Sequence, residues 1–239
     1  MQVEEQFRQR INDVTSYLRS LRALEQSKKK RPSYRTSATF AASRAASFIM
    51  IYNCVEFAVR EAIVATRAEI TRDAPQYTDL NAYWRQEIVK VNFSRRLEQG
   101  GEHSKLLKDF VDFIPGRVGW RDKLRDLPFS GNIDHQSLIE FARKIGEVRW
   151  KPPQNTLGGR DLVLIRTTRN ALAHGDDTFE NVGSSYQVDD LLEKIPRIKK
   201  FVSSFIRMIE RHQQQGKYKK TCAPITRTSP DREESPDLS

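Results

Sequence analysis

Cysteine is nearly absent from this chain: two in 239 residues, Cys54 inside an apolar helical pattern and Cys222 in a polar segment. That argues against a disulfide framework and fits a reducing, cytoplasmic setting. Glycine and proline, at 11 and 10, are too few for the turn-dense pattern of a sandwich or barrel. No apolar run approaches the roughly 20 residues of a membrane span, and the opening MQVEEQFRQR is too charged for a secretory leader. A soluble protein with no membrane partner is therefore expected. Common cofactor and metal signatures are missing as well. There is no G-x-x-x-x-G-K-[ST] phosphate loop, no G-x-G-x-x-G, no H-E-x-x-H and no cysteine pair at zinc spacing. The four histidines, His103, His135, His174 and His212, are too scattered to suggest a metal cluster. No cofactor and no metal are expected, and any catalysis would run without a metal ion.

What the chain does have is positive charge. Lysine and arginine number 41 against 31 acidic residues, a net charge of +10 with a pI near 9.7. Such an excess favours a polyanionic partner through counterion release, although it also serves to keep a surface soluble.

Apolar residues recur at helical spacing along most of the sequence. Val3, Phe7, Ile11, Val14, Leu18 and Leu21 predict a first amphipathic helix, which ends at the basic SKKKRPSY. A long helix is expected from about residue 33 to 71, with Phe48, Tyr52, Val55, Val59, Ala62, Thr66 and Ile70 on one stripe. Its Ala41, Ala42, Ala45 and Ala46 allow close approach of a neighbour, as for the central helix of a bundle. On a more polar face of the same helix lie Asn53, Glu56 and Arg60, either a solvated Glu56–Arg60 pair or a polar wall beside a site. Weaker helical patterns follow, broken at EQGGEHS and at Pro115-Gly116. Asp134 is placed to cap a helix that stops at Gly146. A final helix over about 188–213 has Leu191 or Leu192, Ile195, Ile198, Val202, Phe205 and Ile209 inward, with Pro196 at a kink or at the start of its main segment. From Gly216 the pattern dissolves into Ser, Pro and charge. The expectation is an all-α bundle with a long central helix, one domain over 1–215 and a disordered tail over 216–239.

One phrase stands out. RNALAHG, Arg169 to Gly175, closes a helix that carries Leu162, Ile165 and Leu172 on its apolar face. Arg169 falls between Ile165 and Leu172, where a charge is expensive unless it meets a partner, another subunit or a ligand. An arginine followed closely by a histidine suits phosphodiester chemistry. The guanidinium holds a phosphate through two parallel hydrogen bonds, and the imidazole moves a proton near neutral pH. Spacing alone is uninformative, because Arg96 to His103 and Arg207 to His212 match it too. The first crosses two glycines and the second lies in a charged helix end. On an ideal helix Arg169 and His174 stand about 140° apart, whereas Asn170 and His174 share a face. Gly175 ends the helix at once and leaves the His174 ring at a terminus. A second copy across a two-fold axis would bring two such pairs into one cleft. The structural alternatives are a buried ion pair for Arg169, for example to Glu56, and a helix-dipole contact for His174.

The R-N-x-x-x-H-G phrase resembles the signature of HEPN domains, all-α proteins that include metal-independent endoribonucleases of bacterial toxin–antitoxin and antiviral systems. IYNCVEFAVREAI, SGNIDHQSLIEFARKIG and LAHGDDTFENVGSSYQVDDLL, in this order, are similar to a larger HEPN nuclease subgroup. The likeness covers about residues 40–213. It implies a HEPN-like helical bundle, a homodimer with its cleft between two motif helices, and RNA as partner. Arg169 and His174 would be the catalytic pair, Asn170 the polar residue after the arginine, and Asn53 and Glu56 supporting residues on the cleft wall. Attack of the RNA 2′-hydroxyl would leave a cyclic phosphate and a free 5′-hydroxyl. An antitoxin or defence-system partner is implied too. Some HEPN toxins carry a tyrosine two residues after the histidine that a partner enzyme modifies; here that position is Asp176, so this form of control is not expected. The competing expectation is a catalytically silent HEPN module that binds RNA or nucleotides or serves assembly. A basic helical DNA-binding protein lacks a recognition-helix pattern.

Overall fold

The expected central helix is present and slightly longer than its pattern: α2 runs Tyr34–Asp73, 40 residues. It is seen in a computed structural model that describes residues 2–27, 34–98, 103–117, 119–120 and 132–220. All seven residues of the α2 stripe, Phe48 to Ile70, are buried. The other helices are α1 (Gln2–Ser27), α3 (Ala82–Glu98), α4 (His103–Phe113), α5 (His135–Lys144), α6 (Arg160–His174), α7 (Phe179–Ser185) and α8 (Val188–Gln214). Around α2 pack α1, α6, α7 and α8, and α1 also meets α8. Among the described residues there is no strand, only two isolated bridges, Gln76 to Arg117 and Leu80 to Lys219. The protein is an all-α helical bundle. No described helix is long and apolar enough to cross a membrane.

Each helix follows from its sequence. α1 buries Phe7, Ile11, Val14, Leu18 and Leu21, one residue every three or four. α5 begins at Asp134, whose side chain accepts from the Ser137 amide at 2.8 Å, and the chain turns at Gly146 beyond its end. α8 continues unbroken through Pro196, because buried residues on both sides of the proline, Leu191 and Ile195 before it and Ile198 and Phe201 after it, hold the helix to the core. Its Leu191 is buried and Leu192 only partly so. Cys54 is buried, and burial pushes its thiol up to about 11, so it is inert.

Helix α7 is the element the periodicity does not announce. FENVGSS has one well-buried large apolar residue, Val182, and about two turns of mostly polar sequence carry no helical stripe. It forms because the Thr178 hydroxyl caps it, accepting from the Asn181 amide at 3.1 Å, and because Gly183 lies against α2. A Cβ at 183 would stand 1.7 Å from the Ala41 carbonyl oxygen. The close neighbour anticipated by the alanines of α2 is therefore this short helix, whose Gly183 carbonyl also accepts from Arg44 Nε at 2.6 Å. Gly183→Ala must push backbone from backbone. The expected cost is about 3 kcal/mol, read as a fall in Tm of roughly 8 °C, with Ser184→Ala, one residue on and exposed, unchanged.

At the far end of the bundle the chain is fastened past α8. Lys217 donates to Glu147 at 2.9 Å, Tyr218 donates to Asp73 at 3.0 Å, and Asn81 Nδ2 donates to the Lys217 carbonyl at 3.0 Å. Residues 216–220, which the sequence places in the tail, thus make defined contacts. Residues 221–239 lie outside the described residues, as does the 28–33 segment with its basic cluster. Beneath this clip His212 is fully buried. Trp84 Nε1 donates to His212 Nε2 and His212 Nδ1 donates to Glu147 Oε1, both at 3.3 Å, a pattern that only the neutral ring with its proton on Nδ1 satisfies.

Burial lowers the His212 pKa below its ordinary 6.5, outweighing the opposing pull of Glu147. For Glu147, burial pushes up but the hydrogen bonds from Lys217 and His212 prevail, and its pKa lies below 4.5. Both groups bind fewer protons folded than unfolded, so stability rises with pH across each window. Tm is expected to fall as pH drops below about 6.5 and more steeply below about 4.5. In His212→Gln the first of these two falls should be absent, and thermal melts at closely spaced pH values check it.

Candidate active site

Helix α6 is anchored along its length, and each anchor bears on the RNALAHG phrase. In its first turn Asp161 accepts from Arg197 Nε of α8 at 2.6 Å. One turn on, Arg166 pairs with Asp134, the cap of α5. Leu162, Ile165 and Leu172 are buried, which fixes the rotation of the helix and sends Arg169 toward α2. Arg169 itself is half-buried. Its guanidinium carbon sits 4.9 Å from the centre of the Tyr52 ring, and its Nη1 donates to Asn170 Oδ1 at 3.1 Å. No carboxylate lies within ion-pair distance of it among the described residues. The cost of a cation on an apolar stripe is offset by an aromatic face and one amide.

That arrangement is reinforced from the segment before α5. Asn170 Nδ2 donates to Asn132 Oδ1 at 2.7 Å, and the Ile133 amide donates to the Tyr52 hydroxyl at 3.1 Å. Tyr52 is buried, and burial raises its pKa against the lowering effect of the Ile133 hydrogen bond and of nearby Arg169 and Arg166. Residues 132–134 thereby touch the motif once, Asn132 on Asn170, and its surroundings twice, Ile133 on the ring beneath Arg169 and Asp134 on Arg166. Among the described residues one donated bond engages the guanidinium, which leaves further N–H groups for an incoming anion.

His174 stands apart from this cluster. It is the last residue of α6 and exposed. Gly175 follows in the left-handed region at φ +77, its amide bonded to the Ala171 carbonyl, which only glycine adopts without strain. The Asp176 amide reaches the same carbonyl at 2.9 Å. The imidazole has no hydrogen-bond partner among the described residues. Within one chain the structure joins Arg169 to Asn170 and leaves His174 open to solvent one helix turn on.

Asn53 is exposed and Glu56 half-buried, and both line a groove between α1 and α2. Glu56 pairs with Arg60 at 3.2 Å, the helical pair that their spacing allows. Glu56 is also near enough to Tyr52 to raise its pKa. The other Arg-to-His spacings are spoken for. Arg207 pairs with Glu4 at 2.7 Å and His212 is the buried ring described above, while Arg96 and His103 fall on different helices. Tyr52 and Asn132 are the site residues that sequence reading missed. Tyr52 counts there as one more apolar position of a core stripe, and Asn132 carries no spacing signal. Among the described residues no group of three or more His, Cys, Asp or Glu side chains is placed to hold a metal ion.

A family model described as MAE_28990-like HEPN matches residues 1–221. No curated protein and no solved structure gave a match.

Proposed function

The chain belongs to the HEPN family, and from that premise we propose that it is a metal-independent endoribonuclease acting as a homodimer, a toxin or defence effector with RNA as substrate. The observation that carries this reading is Arg169, a cation held by a ring and an amide with N–H groups left for a phosphate. His174 lies at an open helix end on the same phrase. In the proposed reaction the RNA 2′-oxygen attacks the adjacent phosphorus as its proton leaves, and the 5′-oxygen departs and gains a proton. The products are a 2′,3′-cyclic phosphate and a 5′-hydroxyl. His174 assists the proton transfer and Arg169 stabilises the charge that builds on the phosphoryl oxygens. Because His174 and Arg169 diverge on α6, a facing copy supplies the rest of the cleft.

The test is incubation of single-stranded RNA with the purified protein in the presence of a chelator. Cleavage by the wild type and none by His174→Ala supports the reading. Equal degradation by both, or none by either, refutes it, the latter outcome favouring a silent RNA-binding module.

Tyr52 acts as a positioning residue in this account. Tyr52→Phe and Tyr52→Leu both lose the Ile133 hydrogen bond, but only the second removes the ring under Arg169. Tyr52→Phe should cut RNA within about threefold of wild type and Tyr52→Leu about tenfold more slowly, as measured in single-turnover assays.

A further inference from the structure

The groove that Asn53 and Glu56 line is open and holds about 800 Å3 between α1 and α2, within the roughly 300–1,000 Å3 range of small-ligand sites. Its floor is a stack: the Arg10 guanidinium carbon lies 3.9 Å from the centre of the Phe57 ring. Arg10 is exposed and lines the groove, one face of its guanidinium lying over Phe57. That is a flat, polarizable platform of the kind on which unpaired bases stack.

The walls are polar, and Glu56 and Arg60 on the α2 side pair with one another. Arg10 and Asp13 stand one turn apart on α1 yet form no ion pair, and the amides of Gln9 and Asn53 have no hydrogen-bond partner among the described residues. A groove of merely structural origin would let Arg10 and Asp13 neutralise one another; here Arg10 is held flat on Phe57 instead. The carboxylates of Asp13 and Glu56 repel phosphate, so the groove suits the base of a nucleotide and not its backbone. Carboxylates only accept hydrogen bonds, which matches the 4-amino group of cytosine and mismatches the carbonyl oxygen that uracil has in its place. Asn53 directly follows Tyr52, the residue under Arg169, on α2.

We propose that this groove is a nucleobase subsite that takes one amino-bearing base of a single-stranded RNA, stacked on the Arg10–Phe57 platform and read at its edge by Asp13 and Asn53. The inference rests on RNA being the substrate. It is tested with the full chain and uncleavable, fully 2′-O-methylated hexamers of cytidine or uridine, by fluorescence anisotropy at fixed low salt.

The wild type should bind the cytidine hexamer at least fivefold more tightly than the uridine hexamer. Asp13→Asn should bring that ratio within twofold, and Arg10→Ala should weaken the cytidine hexamer at least fivefold. Both positions are exposed, and thermal melts establish that the variants fold. Equal wild-type affinities, or variants that leave affinity and ratio unchanged, overturn the proposal. Cytidine monophosphate binding as tightly as the hexamer overturns the assignment to RNA in favour of a free nucleotide. The two readings fail separately. A cytidine preference without cleavage rejects the nuclease and keeps the subsite, whereas His174-dependent cleavage with neutral Arg10 and Asp13 variants does the reverse.

Discussion

Replacing His174 by alanine is expected to slow RNA cleavage at least a hundredfold while leaving Tm within about 2 °C of the wild type. The rate follows from the size of proton-transfer catalysis by a placed imidazole, on the order of 10²–10⁴. The unchanged stability follows from the structure: the ring is exposed, has no partner among the described residues, and the helix end is closed by the backbone of Gly175 and not by His174. Surface changes of that kind stay within about 0.5 kcal/mol. Arg169→Ala is expected to lose a similar factor, about 10²–10³, as the positive charge facing the phosphate disappears. Arg169→Lys should recover little, because an ammonium keeps the charge but neither the planar stack on Tyr52 nor a two-pronged grip on phosphate. A lysine variant as fast as wild type would show that Arg169 supplies charge alone.

Arg67→Met is expected to produce the largest loss of stability, about 3–5 kcal/mol. Arg67 is fully buried on α2 and pairs with Glu87 of α3, itself 7% exposed. Trp120 stacks nearby, its ring centre 5.7 Å from the Arg67 guanidinium carbon. Burial pushes the Glu87 pKa up and Arg67 is the main group that pulls it back, so removing the arginine leaves the burial of the carboxyl opposed only by the smaller effects of Trp120 and Lys90. Glu87 then binds a proton in the folded state that it lacks in the unfolded chain. Stability of Arg67→Met should accordingly fall as pH rises from about 5 toward 8. The double variant Arg67→Met with Glu87→Met removes both charges and should regain most of the loss, since two methionines fill similar space without desolvating a charge. Chemical denaturation at pH 6 and 8 checks the three proteins. A single variant as stable as wild type, or a double variant no better than the single, would contradict this account of the α2–α3 contact.

The fold was readable wherever burial imposes a long periodic pattern. The α2 stripe from Phe48 to Ile70 and the α8 residues from Ile195 to Ile209 are buried as their spacing requires, because a helix of many turns repeats its core contacts. Helix α7 was not readable, since seven residues with one buried valine repeat nothing; its place is set by a glycine seated against Ala41. The same distinction separates the site residues. Arg169 announces itself by being charged among Leu162, Ile165 and Leu172. Tyr52 conceals itself by looking apolar among apolar neighbours, and Asn132 lies in a connecting segment where spacing has no meaning. Arg207 and His212 show the converse: a spacing identical in kind to the motif, whose members serve an ion pair to Glu4 and a buried hydrogen-bond network.

The central claim, metal-independent cleavage driven by the RNA 2′-hydroxyl, is tested most directly by the chemistry of the cut ends. An end-labelled RNA carrying a single 2′-deoxy position within an otherwise preferred site is incubated with the full chain in excess chelator, and the fragments are analysed by mass. The account predicts fragments ending in 2′,3′-cyclic phosphate and 5′-hydroxyl, with no cut after the deoxy position. Fragments ending in 3′-hydroxyl and 5′-phosphate, or cutting after the deoxy nucleotide, would contradict it.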